Sequence, residues 1–306
     1  MFETQQLKIH WQQIQHPILK AHHSELWVCQ IEPPIPEIAG NKWLKLAPVL
    51  SKRKPSQGIL SLGGAFSNHL AALAAAGYFY RFPTIGLVRT DQLDLNNPTL
   101  QRCIEYGMQL EPINRMQFRQ RDTIEFNQYL ANTYPTYIVV PEGGSNQDGA
   151  SGAAMLPLAD TPAGEADILT VATASGGTLA GIIQRYPHKQ ALGLAVVKDQ
   201  ALISKVKACL PTKENFSHWH VFESETPYGK VTPQLIEFCC ALKPQLTIEP
   251  IYTGKALFEL FTLLAAGNIP KGKRIAFFHT GGLQGLAGLH YRKIITDQQF
   301  TLLKQI

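Results

Sequence analysis

Ile168-Leu169-Thr170-Val171-Ala172-Thr173-Ala174-Ser175-Gly176-Gly177-Thr178-Leu179-Ala180-Gly181 is the stretch on which the fold turns. Its opening residues are apolar or β-branched and read as a buried strand; those after Gly177 read as an apolar helix. Between them, Gly176 and Gly177 let the backbone approach an anion closely. N–H groups of the loop and of the first helical turn then point at that anion, and the Ser175 and Thr178 hydroxyls add donors. This is a site for a phosphate monoester. The GxGxxG of dinucleotide folds is absent. A second glycine-lysine match, Gly267 to Lys273, is followed by Arg274 instead of Ser or Thr. It also precedes a strand instead of following one, so we set it aside as a Walker loop.

The strand–glycine–helix unit recurs on either side of this stretch. Gly58 to Leu62 is a strand running into Gly63-Gly64, and Asn68 to Gly77 reads as an alanine-rich helix. Thr84 to Val88 is a second strand, and Leu100 to Gly107 a helix closed by its glycine. Tyr137 to Val140 leads into Pro141-Glu142-Gly143-Gly144, and Arg274 to His279 into Thr280-Gly281-Gly282; Ala191 to Val197 is also β-like. Such repetition predicts an α/β fold of open, twisted parallel sheets with helices on both faces. Ligands of such sheets bind at the carboxyl ends of the strands. Four of these ends carry paired glycines, which we read as one cleft. A break near Ala47-Pro48 and a turn-rich return at residues 150–165 predict two domains. Residues 1–46 with 154–306 form the large one, and residues 47–153 a small one inserted in it.

Length and composition agree: 306 residues, 45% hydrophobic and 17% charged, suffice for two cores. A net charge of +5 is too small for a nucleic-acid surface, and Lys52-Arg53-Lys54 and Arg115 to Arg121 read as solvated clusters. Five cysteines without CxxC spacing fit a reducing compartment, and no signal peptide or membrane span is visible, so the expectation is cytoplasmic. His22-His23 and His218 with His220 lack the partners of a metal site, and no metal is expected.

Gly40-Asn41-Lys42-Trp43-Leu44-Lys45-Leu46 places two lysines on one helical face. Taken with Ser67-Asn68-His69, Pro141 to Asn146, Ala174 to Thr178, Tyr252-Thr253-Gly254-Lys255 and His279 to Gly282, it resembles the D-cysteine desulfhydrase and 1-aminocyclopropane-1-carboxylate (ACC) deaminase family. The six segments occur in the family's order, from about Gly40 to the C-terminus. The resemblance implies fold type II, with pyridoxal 5'-phosphate in the interdomain cleft and bound chiefly by the large domain. It implies that Lys42 holds the cofactor as a Schiff base and that Lys45 is a second cation near the phosphate. Ala174, Ser175, Gly176, Gly177 and Thr178 would form the phosphate loop, with Ala174 where glycine is usual. Ser67, Asn68 and His69 would take the substrate, Asn68 also reaching the cofactor. Tyr252 would stack on the cofactor ring, with Thr253 at its nitrogen, and Tyr228 would be a second active-site tyrosine; Lys42, Ser67, Tyr252 and Tyr228 are thus the implied catalytic set.

The family's ring-opening deaminases place Glu where Thr253 stands. A neutral hydroxyl makes a weaker electron sink, which suits β-elimination, where the leaving group carries the electrons away. The expected activity is therefore D-cysteine desulfhydrase-like, giving pyruvate, ammonia and sulfide from a small amino acid. The alternatives are ACC deamination and a catalytically impaired cofactor-binding protein. The second draws on departures from the pattern: Val28 to Pro34 lacks the usual Arg/Asp, Leu44 stands in place of arginine, and Phe66 in place of a polar residue. A homodimer is the family expectation.

Overall fold

The computed structural model describes residues 7–38, 40–212, 216–224 and 229–304. Twelve strands follow one another: β1 (Lys8–Ile14), β2 (Glu25–Glu32), β3 (Gly58–Gly64), β4 (Thr84–Arg89), β5 (Gln109–Ile113), β6 (Tyr137–Val140), β7 (Asp160–Thr161), β8 (Gly164–Glu165), β9 (Ile168–Thr173), β10 (Gln190–Ala195), β11 (Trp219–Phe222) and β12 (Arg274–His279). They form a six-stranded sheet ordered β1-β2-β12-β9-β10-β11 and a four-stranded sheet ordered β5-β4-β3-β6. A two-stranded ribbon, β7-β8, stands apart. All pairings in the two large sheets are parallel except β1 with β2.

The central strands are continuous apolar runs because helices cover both faces. β9 is buried throughout, and its one mid-strand hydroxyl, Thr170, donates to the Ala276 carbonyl of β12 at 3.1 Å. The alanine-rich helix Asn68–Tyr80 is buried from His69 to Gly77. Its small side chains let it lie close to the four-stranded sheet, and one apolar cluster runs from that sheet through Leu44 and Leu46 to Leu169 and Phe278 of the other. The two sheets thus share a core, which fixes the cleft between them.

The helix Asn41–Lys52 links the sheets and contains Pro48. Proline has no N–H for the carbonyl four residues earlier, that of Leu44. The helix Gln147–Ala153 exploits this gap: a Cβ on its Gly152 would lie 2.0 Å from that carbonyl oxygen, so only glycine permits the approach. Among the described residues, no helix is long and apolar enough to cross a membrane.

Candidate active site

Lys42 is positioned by a backbone lock. Gly40 has φ 57°, and a Cβ there would sit 2.0 Å from the Thr280 carbonyl oxygen. That same carbonyl accepts the Asn41 N–H at 3.2 Å. The Asn41 side chain, buried, donates to Thr178 Oγ1 at 2.8 Å and so ties the lysine helix to the helix Gly177–Arg185. Lys42, half-buried next to it, reaches the Gly143 carbonyl at 3.5 Å. Burial lowers its pKa to about 8, against the opposing pull of Glu142. A sizeable fraction of this amine is therefore unprotonated, and so nucleophilic, near neutral pH.

One turn on, Lys45 is buried and donates to Ser145 Oγ at 2.7 Å. Ser145 Oγ in turn donates to Ser175 Oγ at 2.6 Å. Each hydroxyl in this relay accepts from the group before it, which leaves the Ser175 proton to be given onward. Gly176 takes the left-handed conformation, φ 85°, as it turns β9 into the following helix. A Cβ on Gly177 would lie 3.0 Å from Lys45 Nζ and 2.9 Å from Ser145 Oγ, so the bare glycine makes room for both. Lys45 has a pKa well below the usual lysine range, through burial first and the charge of Lys42 second. Among the described residues no carboxylate pairs with Lys45. A buried amine that an anion would protonate and a positive helix N-terminus thus converge at one point, with no carboxylate among the described residues to meet them.

Ser67 caps the helix Asn68–Tyr80, its Oγ accepting the Leu70 N–H at 3.3 Å. Ser67 and Asn68 are half-buried and line the same cavity as Lys42. His69 lines it too but is held from behind: Ser61 Oγ donates to the Val140 carbonyl at 2.7 Å, so it accepts the proton of His69 Nε2 at 2.9 Å. The ring is neutral, its pKa driven well down by burial and then by Lys42 and Lys45. Nδ1 is left as a buried acceptor with no hydrogen-bond partner. His279, by contrast, is a packed residue, with Nε2 on the Thr247 carbonyl and Nδ1 accepting the Gly281 N–H.

Tyr252 lines the cavity at the start of the helix Thr253–Ala265. Thr253 is fully buried, its hydroxyl donating to the Gly281 carbonyl at 3.3 Å. The sequence reading passed over Glu249, whose carboxylate accepts the N–H groups of Ile251, Tyr252 and Thr253 at 2.6–3.1 Å. Burial pushes its pKa up to about 8, against those three donors. Tyr228 lies outside the described residues; Gly229, next to it, lines the cavity.

The cavity encloses about 720 Å³, the size of a cofactor-plus-substrate pocket. Residues from all four paired-glycine loops line it, among them Gly64, Gly143, Ser175 and Gly282. Phe66 both lines it and packs against the helix Gly285–Tyr291, where a Cβ on Gly288 would meet its ring at 2.6 Å. Two features escaped the sequence. Ser145, in a loop noted for its glycines and its resemblance to a family segment but given no role of its own, bridges Lys45 to Ser175. The Arg115 to Arg121 cluster, read as solvated, supplies Arg115, Arg119 and Arg121 to the cavity wall.

The residues fit the cofactor that the resemblance implies. A dianionic phosphate would satisfy Lys45, the serine relay and the Gly177 helix N-terminus together. Lys42, partly unprotonated and opening on the same cavity, suits covalent attachment to an aldehyde. No family model matches the chain. It is 26% identical over 284 residues to a putative 1-aminocyclopropane-1-carboxylate deaminase of Pyrococcus furiosus, covering 83% of each chain. To the D-cysteine desulfhydrase of Klebsiella pneumoniae it is 26% identical over 293 residues, covering 83% of this chain and 85% of the relative. Among solved structures, an ACC deaminase homologue superposes with a TM-score of 0.71 at 23% identity, covering 96% of this chain and 93% of that one.

Proposed function

The chain belongs, by sequence and fold, with the ACC deaminases and D-cysteine desulfhydrases, lyases of fold type II that use pyridoxal phosphate; within that family we propose that it catalyses β-elimination from a small amino acid. The observation that carries this reading is the convergence on one cavity of Lys42, the Ser67-Asn68 loop, and the phosphate loop with its buried Lys45 relay. Bound pyridoxal phosphate would supply an electron sink for the pair left at Cα when its proton departs.

The protein's own residues take the remaining tasks. Lys45, Ser145, Ser175 and the N–H groups at Gly176 to Thr178 would hold the phosphate, and Tyr252 and Asn68 would contact the rest of the cofactor. Ser67 and Asn68 hold the substrate carboxylate at a helix N-terminus. Lys42 Nζ would accept the Cα proton, which its low pKa permits near pH 8. Neutral His69 stands behind this group and adds no further positive charge. The choice of elimination over ring opening rests on Thr253, a neutral residue where a carboxylate would strengthen the sink. Among the described residues, the acids lining the cavity are Glu142 and Asp199, and both are paired, with Arg121 at 2.7 Å and Lys205 at 2.9 Å.

The test is a panel: holoenzyme with D-cysteine, L-cysteine, β-chloro-D-alanine, D- and L-serine, and ACC, assayed for pyruvate, 2-oxobutyrate and ammonia. Pyruvate is expected. 2-Oxobutyrate from ACC would instead make the chain a ring-opening deaminase. No keto acid from a protein that retains the cofactor's visible absorbance would mark it as catalytically impaired. Lys42→Ala is expected to lose that absorbance, and an unchanged spectrum would overturn the role of Lys42.

A further inference from the structure

The carboxyl ends of three neighbouring parallel strands carry a graded series of groups. β3 ends at Gly64 and leads to Ser67-Asn68; β4, beside it, ends at Arg89; β5, beside that, leads into the short helix Arg115–Arg119. Arg89, Arg115 and Arg119 all line the cavity. Arg89 leans back toward the substrate loop, its guanidinium 3.6 Å from where a Cβ on Gly64 would lie. It also lies 5.2 Å from the centre of the Phe118 ring, which Arg121 contacts at 4.6 Å. Arg121 is neutralised by Glu142 and Lys205 by Asp199. Arg89, Arg115 and Arg119 have no carboxylate partner among the described residues. The cofactor phosphate does not explain them, because its loop and its cation, Lys45, belong to β9 and the lysine helix.

We propose that this arc binds the far end of the substrate, and that the substrate is an amino acid whose side chain ends in an anion. The inference rests on the reading of Ser67 and Asn68 as the α-carboxylate site. Neighbouring strands are spaced by about 5 Å. Arg89 therefore stands about one spacing from that site, the reach of a three-carbon amino acid carrying a phosphate, sulfate or carboxylate-bearing group at Cβ, and the long side chains of the Arg115–Arg119 helix, one strand further out, would close on the same anion. Bidentate N–H forks suit such planar or tetrahedral oxyanions. For a phosphate ester of serine the chemistry balances without a further reactant. The Cα–H bond breaks and its proton goes to Lys42 Nζ. The Cβ–O bond then breaks, and its electron pair leaves with inorganic phosphate. Addition of one water releases pyruvate and ammonia.

The test compares O-phosphoserine and β-chloroalanine, each as both enantiomers, on the holoenzyme and its R89Q and R119Q variants. Pyruvate release gives kcat/KM, and titration of the cofactor's absorbance with O-phosphoserine and serine gives Kd. For the favoured enantiomer, the expected kcat/KM ratio of phosphate ester to chloride exceeds ten. It should fall about tenfold in R89Q, the loss of one charge-assisted pair. A ratio at or below one, or one that neither variant changes, overturns the inference and leaves the β-elimination reading standing. If no substrate yields pyruvate, the titration decides. O-Phosphoserine binding at least tenfold tighter than serine, and weakened in R89Q, upholds the anionic subsite while the elimination reading falls. Equal binding of the two overturns the subsite.

Discussion

Replacing Lys42 with methionine removes a half-buried ammonium while keeping most of its chain length, and the effect on the cofactor-free protein follows from the displaced pKa. In the fold this lysine titrates at about 8, and in the unfolded chain near its ordinary 10.5. Between those values the unfolded state binds more protons, so wild-type stability rises with pH across that window. Below pH 8 the full penalty is present; above 10.5 it is gone. A displacement from 10.5 to about 8 corresponds to about 3 kcal/mol. Cofactor-free K42M is therefore expected to be more stable than wild type at pH 7 by about 2–3 kcal/mol. That advantage should shrink steadily from pH 8 to 10.5. Urea denaturation of both proteins at half-unit steps from pH 7 to 10.5 measures it. Lys45 and the buried thiols titrate in both proteins and largely cancel in the difference, and relief of Lys45 from Lys42's repulsion acts in the same direction. Stabilities equal within about 0.5 kcal/mol at pH 7, or a difference independent of pH, would refute the argument that Lys42 is held against its charge. Adding pyridoxal phosphate should reverse the order, because only wild type can attach it covalently.

Three further outcomes follow from individual contacts. Ser145→Ala breaks the relay from Lys45 to Ser175 and is expected to weaken cofactor binding about tenfold, read by equilibrium titration of the visible absorbance. Ser61→Ala leaves His69 Nε2 without its acceptor in a buried place; a loss of about 1–3 kcal/mol is expected in denaturant melts. Gly181→Ala would drive a methyl group to 2.5 Å from the Ala150 carbonyl oxygen and 2.6 Å from Ala153 Cβ, prising apart the helices Gln147–Ala153 and Gly177–Arg185 at a cost of about 1–3 kcal/mol, measured the same way.

Much of the fold was legible because buried parallel strands announce themselves. Tyr137 to Val140 and Arg274 to His279 are apolar runs closed by turns, and the structure gives them the bounds the sequence implied. The edge strands are harder to read. β1 is KIHWQQI, largely polar and exposed, and it pairs antiparallel to β2 at the rim of the sheet. β5 contains Pro112, which is tolerated because the strand is an edge. In the site, glycine-punctuated loops and the lysine pair were visible as local patterns. Contacts across long sequence separations were not: Asn41 meets Thr178 only because the folded core aligns their helices, and Lys45 meets Ser145 because it brings the loop before the helix Gln147–Ala153 onto the lysine helix.

Arg115 and Arg119 are exposed, as the reading of a solvated cluster expects, yet with Arg121 they also line the cavity. A weak net charge says little about where the charge lies. Among the described residues, seven basic side chains line the cavity, namely Lys42, Arg89, Arg115, Arg119, Arg121, Lys205 and Arg292, against two acidic ones, Glu142 and Asp199. Among the described residues that line the cleft, basic side chains thus outnumber acidic ones by five. Concentrated between low-dielectric walls, such an excess focuses the field on the strand ends, whereas the same charge spread over the surface would be screened within about 10 Å. Behind these lining charges, Lys45 and the loop of Gly176 and Gly177 would hold the phosphate of the cofactor. The outer charges, at Arg89, Arg115 and Arg119, face whatever enters after the cofactor is in place, so the electrostatics divide the cleft into two anion sites filled in succession.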